Sequence, residues 1–295
     1  MCLKRSVKPV LLAKAIEAFK NHMINIDRSE GTIKGYTIEL NLLNRFLSKK
    51  YNGPVYLDEI TTQDMEDYMR MLKEKGDAPA SRSRSVYIMR AFFNFCFKEE
   101  YIPKNIGLKL EAIPVPQKER VFLTAEEMKV LISAVKPPIA KLILNTLFFT
   151  GMRISECLNL LVEDVNLKEG IITVRNTKNK RDRQIPIHKD LMPLLTDYFN
   201  NWRKGKSNPY FFNSNKNSRV SADYINRILR EATQRLNWNK HITCHVIRHS
   251  FASHLVARNV NIVNIQKLLG HSDLSTTSVY THTSMAELIN AVNRI

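Results

Sequence analysis

The segment Ile113-Pro114-Val115-Pro116-Gln117-Lys118-Glu119-Arg120 divides the chain. Two prolines one residue apart cannot continue a helix, and the charged residues after them have little to bury. The pattern predicts an extended connector over residues 113–122, so each flanking block must fold around its own core. Residues 1–112 read as almost wholly helical. Ile16, Phe19 and Met23 recur at helical spacing, as do Tyr36, Leu40, Leu43 and Leu47 after a start signal at Ser29 to Thr32. Thr61-Thr62-Gln63-Asp64 caps a third helix carrying Met65, Tyr68, Met69 and Leu72. Gly76-Asp77-Ala78-Pro79 breaks the chain, and a fourth helix carries Val86, Met89, Phe92, Phe93 and Phe97. The expected product is a small helical bundle with Arg82, Arg84 and Arg90 beside its ends.

The second block, residues 123–295, opens on a capping pair, Thr124 with Glu127 three residues on. Its one non-helical patch is Ile171–Arg175 and Gln184–Ile187, two strands joined by a basic turn from Asn176 to Arg183. Helices are expected from there to Ile295. The fold class is therefore mainly α with a small β-hairpin.

Lys and Arg outnumber Asp and Glu by 45 to 28, a net charge of +17 that implies a polyanionic partner, nucleic acid first. A membrane is the rival partner, yet no apolar run reaches the roughly 18 residues a span needs. The longest, Leu142–Phe149, is interrupted by Asn145 and Thr146. Lys14 breaks the N-terminal apolar run too early for a signal-peptide core, which predicts a cytosolic protein. Cys2, Cys96, Cys157 and Cys244 lack metal-ligand or disulfide spacing, and three of them read as small buried residues.

Three motifs carry chemistry. In Thr150-Gly151-Met152-Arg153-Ile154-Ser155-Glu156 an apolar helix ends at Gly151 and another begins near Ser155. Arg153 at that turn, beside free N–H groups, suits a phosphate; the plainer reading is an exposed turn arginine. In His245-Val246-Ile247-Arg248-His249, both histidines and Arg248 share a helix face. Val246 replaces the glutamate a zinc protease needs, and Phe251, Ala252 and Leu255 argue against a merely solvated basic face. Finally, Gly270 stops an apolar helix at His271, and Tyr280 follows nine residues later. Beyond it Ser284-Met285-Ala286-Glu287 starts a helix whose stripe of Met285, Leu288, Ile289 and Val292 either packs back on its own domain or docks elsewhere.

In this order, Gly-x-Arg, basic hairpin, His-x-x-Arg-His, Leu-Gly-His and Tyr, the chain resembles the tyrosine recombinases and phage-type integrases, in their Xer-like branch, over both blocks. The resemblance implies a SAM-like core-binding domain over 1–112, a catalytic domain over 123–295 and a protomer-exchange helix over 284–295. It implies that Tyr280 is the nucleophile, that Arg153 and Arg248 clamp the scissile phosphate, that His245 takes part in proton transfer, and that His271 bonds a phosphate oxygen. Lys178 becomes the general acid when Arg183 and Pro186 are matched to the family's Arg-x-x-Pro ending. Thr177-Lys178-Asn179 stands where the family often has Gly-Lys-Gly, with Lys180 and Arg181 adjacent. Glu156 takes a supporting acidic position, orienting the pocket rather than reacting. Lys180, Arg181, Arg82, Arg84 and Arg90 are candidate DNA contacts.

The implied activity is site-specific recombination through a 3′-phosphotyrosyl intermediate and a Holliday junction. The implied partner is double-stranded DNA with inverted half-sites around a short spacer, bound by a homotetramer that assembles from monomers. No metal and no cofactor are expected. A tyrosine hydroxyl, with an ordinary pKa of about 10, needs a cationic field to react near neutrality, and the arginines, lysine and histidines supply one. No Asp/Glu cluster is placed for magnesium, and no Gly-x-x-x-x-Gly-Lys-Ser/Thr loop is present for ATP. A type IB topoisomerase shares this chemistry, but the short helical first block and Xer-like spacing disfavour it. A catalytically idle DNA-binding regulator is disfavoured by the intact constellation.

Overall fold

The computed structural model describes residues 9–116, 121–175, 182–213 and 219–270. The chain forms two compact units, with the boundary after Lys118.

Among the described residues the first unit holds four α-helices: α1 (Leu12–Asn25), α2 (Glu30–Lys50), α3 (Thr62–Glu74) and α4 (Pro79–Lys98). Short polar signals set their starts. The Ser29 hydroxyl accepts from the Thr32 N–H at 3.3 Å, and Pro79 opens α4 where a missing N–H costs nothing. Thr61 and Asp64 cap α3 reciprocally, the Asp64 carboxylate accepting the Thr61 N–H at 2.8 Å. Burial would raise Asp64, but bonds from Lys50, Thr61 and Tyr51 hold it at about 2. The apolar faces meet in one core of Leu12, Ile16, Phe19, Leu40, Leu43, Leu47, Met65, Tyr68, Phe92 and Phe93. Phe97 departs from expectation at 46% exposed. It lies in the last turn of α4, where Phe95 and Cys96 take the inward positions instead.

The second unit is built on α6 (Pro138–Thr150), whose Leu142, Ile143, Leu144 and Leu147 are buried. Around it lie α5 (Ala125–Ala134), α7 (Ile154–Leu158), α8 (Met192–Tyr198), α9 (Ala222–Arg235), α10 (Cys244–Ala257) and α11 (Ile262–Leu269). The predicted capping pair starts α5, with Glu127 N–H on the Thr124 hydroxyl and Thr124 N–H on the Glu127 carboxylate, both at 3.1 Å. The Leu123 N–H donates to the Ser250 hydroxyl at 2.8 Å, and its carbonyl meets His254 Nε2 at 2.9 Å, fastening the start of this unit to α10.

The sheet is antiparallel in the order β1 (Val165–Asn166), β2 (Ile171–Val174), β3 (Arg183–Pro186). Ile172 faces Ile185 and Val174 faces Arg183. The two-residue β1 was not expected, because a strand that short shows no alternation to read. The architecture is mainly helical with one small sheet, as anticipated.

Candidate active site

The site begins where α6 stops. Gly151 adopts a left-handed conformation at φ 63°, and a Cβ there would lie 2.2 Å from Phe251 Cδ1. Glycine thus both ends the helix and lets α10 approach. That approach carries Arg248 inward. Its Nη1 donates to the Gly151 carbonyl and its Nη2 to the Leu269 carbonyl, each at 2.7 Å, so one buried guanidinium ties the C-terminal ends of α6 and α11 to α10.

Arg153, two residues past Gly151, is the N-cap of α7. Its N–H donates to Glu156 Oε2 at 2.8 Å and its Nη1 to Oε1 at 2.7 Å. This corrects the sequence reading in one respect. Of the free N–H groups expected at this turn for a phosphate, that of Arg153 itself is met by a carboxylate from the same helix. The Arg153 side chain remains 40% exposed.

Glu156 is the centre of the cluster. Arg183, from β3, donates through Nη2 to Oε2 at 2.8 Å and through Nη1 to Oε1 at 3.2 Å. Arg248 Nη1 lies 3.8 Å from Oε2. Burial would raise the Glu156 carboxyl, yet the Arg183 hydrogen bonds and charge, with the Arg153 N–H and guanidinium, hold it down at about 2. It is ionised at any working pH and cannot serve as an acid. Arg183 also donates from Nε to the Leu268 carbonyl at 2.9 Å, and a Cβ on Gly270 would come within 2.8 Å of its Nη1. Motifs distant in sequence therefore converge on one carboxylate.

The face of α10 predicted from spacing is a boundary rather than a uniform surface: His245 is exposed, His249 half-buried and Arg248 buried. Lys178, Lys180, Arg181, His271, Tyr280 and the 284–295 helix lie outside the described residues. Their neighbours are placed, with Arg175 held on Asp164 and Glu163 at 2.6 Å, Arg183 closing the hairpin, and Gly270 preceding His271.

In the first unit, Arg90 donates to the Leu110 carbonyl through Nε at 3.1 Å and through Nη2, so this guanidinium anchors the segment after α4. Arg82 Nε donates to the Asp77 carbonyl at 3.2 Å, while Arg84 is exposed beside Gly35. Cys96, Cys157 and Cys244 are free and buried, and burial pushes the Cys244 thiol up to about 12, so none of the three is a competing nucleophile. Among the described residues no group of three His, Cys, Asp or Glu side chains is arranged to hold a metal, and no helix is long and apolar enough to cross a membrane.

Arg183 is the site residue that sequence reasoning used only as a marker of register. In the run Lys180-Arg181-Asp182-Arg183 it reads as one more turn charge. Its pairing with Val174 across the ladder is the signal that it belongs to the strand.

Residues 121–287 match the phage integrase family, and residues 16–100 match the phage integrase N-terminal SAM-like domain. The tyrosine recombinase XerA of Pyrococcus furiosus is 33% identical over 289 residues, spanning 96% of this chain and 94% of the relative. The tyrosine recombinase XerD of Staphylococcus haemolyticus is 30% identical over 278 residues, spanning 90% and 92%. Among solved structures, a crystallised XerA recombinase is 28% identical, with a TM-score of 0.53 over 95% of this chain and 98% of the other. The Tn1549 transposon integrase in complex with a circular intermediate DNA shares the fold, with a TM-score of 0.80 at 19% identity over 96% and 99%. With both blocks matched, and with Arg153, Glu156 and Arg248 gathered at one turn, the chain belongs to the phage integrase family of tyrosine recombinases.

Proposed function

We propose that the protein is a metal- and ATP-independent site-specific DNA recombinase of the cytoplasm, with Tyr280 as its nucleophile. The observation that carries the reading is the convergence of Arg153 and Arg248, from different helices, on one ionised Glu156. Two fixed guanidinium groups beside each other suit the non-bridging oxygens of a phosphodiester, whose charge grows in the transition state. Tyr280 attacks phosphorus, and the P–O bond to the 5′ oxygen breaks. Lys178 donates a proton to that leaving oxygen, and a 3′-phosphotyrosyl bond forms. A 5′ hydroxyl from a second strand reverses the sequence, so the bond energy is conserved and no nucleotide is consumed. His245 takes part in proton transfer, and His271 bonds a phosphate oxygen.

The 1–112 bundle acts as a DNA-binding arm with Arg82, Arg84 and Arg90 toward the duplex, joined through 113–122 to the catalytic domain of 123–295. Lys180 and Arg181 add phosphate contacts from the hairpin. The DNA carries inverted half-sites around a short spacer, and monomers assemble on it as a tetramer through the 284–295 helix. Two λ integrase structures, a dimer bound to a core site and a tetramer bound to a Holliday junction, support this partner and this assembly.

The test uses a duplex found by footprinting the protein on the DNA flanking its own coding sequence, nicked within the spacer. The chain should become covalently attached to it in the presence of a chelator, and Tyr280→Phe should abolish the adduct while binding persists. An adduct in that variant places the nucleophile elsewhere. A requirement for magnesium removes the mechanism.

A further inference from the structure

Glu156 poses an electrostatic problem. A largely buried carboxylate, 12% exposed, lies within 2.7 Å of one guanidinium proposed to clamp the scissile phosphate and within 3.8 Å of the other. A negative charge so placed competes with the phosphate for both clamps. We infer that Arg183 is a positioning residue that neutralises Glu156, so that Arg153 and Arg248 keep their charge for the DNA. The inference rests on the recombinase reading.

The three arginines are used differently. Arg183 is 10% exposed and gives both Nη groups to Glu156, its Nε to the Leu268 carbonyl, and its flank to Gly270. All three of its nitrogens are engaged by protein groups, two of them by Glu156 itself, so its charge is spent chiefly on that carboxylate. Arg153 touches Glu156 through a single Nη and is 40% exposed. Arg248 spends its two Nη groups on the carbonyls of Gly151 and Leu269, and it meets Glu156 only at ion-pair distance. The bidentate, desolvated pair is Arg183 with Glu156. With Arg183 the four side chains carry two net positive charges; without it they carry one. The uncompensated buried carboxylate would then draw Arg153 and Arg248 onto itself.

The competing account makes Arg183 only a staple between β3 and the end of α11. The two accounts separate when Glu156 loses its charge. The measurement is single-turnover covalent attachment of the full chain to the nicked duplex at saturating protein, with half-site affinity measured alongside. Arg183→Gln should slow attachment about 100-fold, while affinity changes by no more than about threefold. Adding Glu156→Gln to Arg183→Gln should restore at least about tenfold, because the competing charge is gone. Arg183→Lys, which keeps the charge and loses the fork, should stay within about tenfold of the unmodified chain.

Attachment by Arg183→Gln at the unmodified rate overturns the inference. So does a folded double variant no faster than Arg183→Gln. If Arg183→Gln fails to fold, Arg183→Lys decides: attachment near the unmodified rate supports charge compensation, and a folded Arg183→Lys reduced to the level of Tyr280→Phe overturns it. An unmodified chain that forms no adduct overturns the recombinase reading first, and this inference with it.

Discussion

Replacing Gly151 by alanine probes the close approach on which the arginine cluster depends. Two penalties add. A non-glycine residue at φ 63° pays about 1–2 kcal/mol for the left-handed conformation. The new methyl would also lie 2.2 and 2.6 Å from Phe251 Cδ1 and Cε1 and 3.0 Å from Leu269 Cδ2. Forcing a methyl into such a junction typically costs about 1–3 kcal/mol. The sum is roughly 2–5 kcal/mol, large against the 5–15 kcal/mol typical of a domain. Gly205 provides the control, since it has φ 82° and nothing within 4 Å of its Cβ position. Gly205→Ala should therefore pay the backbone cost alone. Both tryptophans, Trp202 and Trp238, belong to the second unit, so their fluorescence during urea unfolding reports that unit rather than the helical bundle. Because the Gly151 carbonyl accepts from Arg248, Gly151→Ala should also slow covalent attachment in protein that remains folded. If Gly151→Ala and Gly205→Ala agree within about 0.5 kcal/mol, α10 does not press on this turn as described.

Lys178→Ala should slow cleavage strongly, and a 5′-bridging phosphorothiolate should rescue it, because sulfur leaves without a proton; rescue of Lys180→Ala but not of Lys178→Ala would transfer the general-acid role to Lys180. Glu156 titrates at about 2 in the folded chain against an ordinary 4.5, so its contribution is whole above about pH 4.5 and is lost as pH falls toward 2. That contribution is on the order of 3 kcal/mol, and Glu156→Gln should flatten the acid limb of the second unit's stability profile over this window; an unchanged limb would mean that the cluster does not hold the carboxylate ionised. Residues 120–295 alone should bind DNA more weakly and with a shallower salt dependence, and deletion after Thr283 should spare half-site binding but weaken pairing on a full site; equal salt slopes would deny the arm, and equal pairing would deny the exchanged helix.

The sequence by itself determined what rests on neighbours a few residues apart. Thr61 with Asp64 and Thr124 with Glu127 are reciprocal caps closed within one turn, and both formed as read. Gly151 and Gly270 ended helices because left-handed C-caps favour a residue without Cβ. The periodic apolar residues of α1 to α3 went inward for the same local reason. The order of the motifs carried the family, because that order needs no distances. Only the tertiary structure decided how charges are shared. Glu156 meets Arg183 across 27 residues of chain, and Arg248 meets Gly151 across 97. No periodicity says that the Arg153 N–H is taken by a carboxylate, that Arg90 anchors Leu110, or that Phe97 yields the inward place to Phe95 and Cys96. Periodicity assigns a side chain to a face of its own helix or strand. Which carboxylate or carbonyl waits opposite depends on how separate elements pack, and at this turn that packing lets Glu156 be held by three arginines.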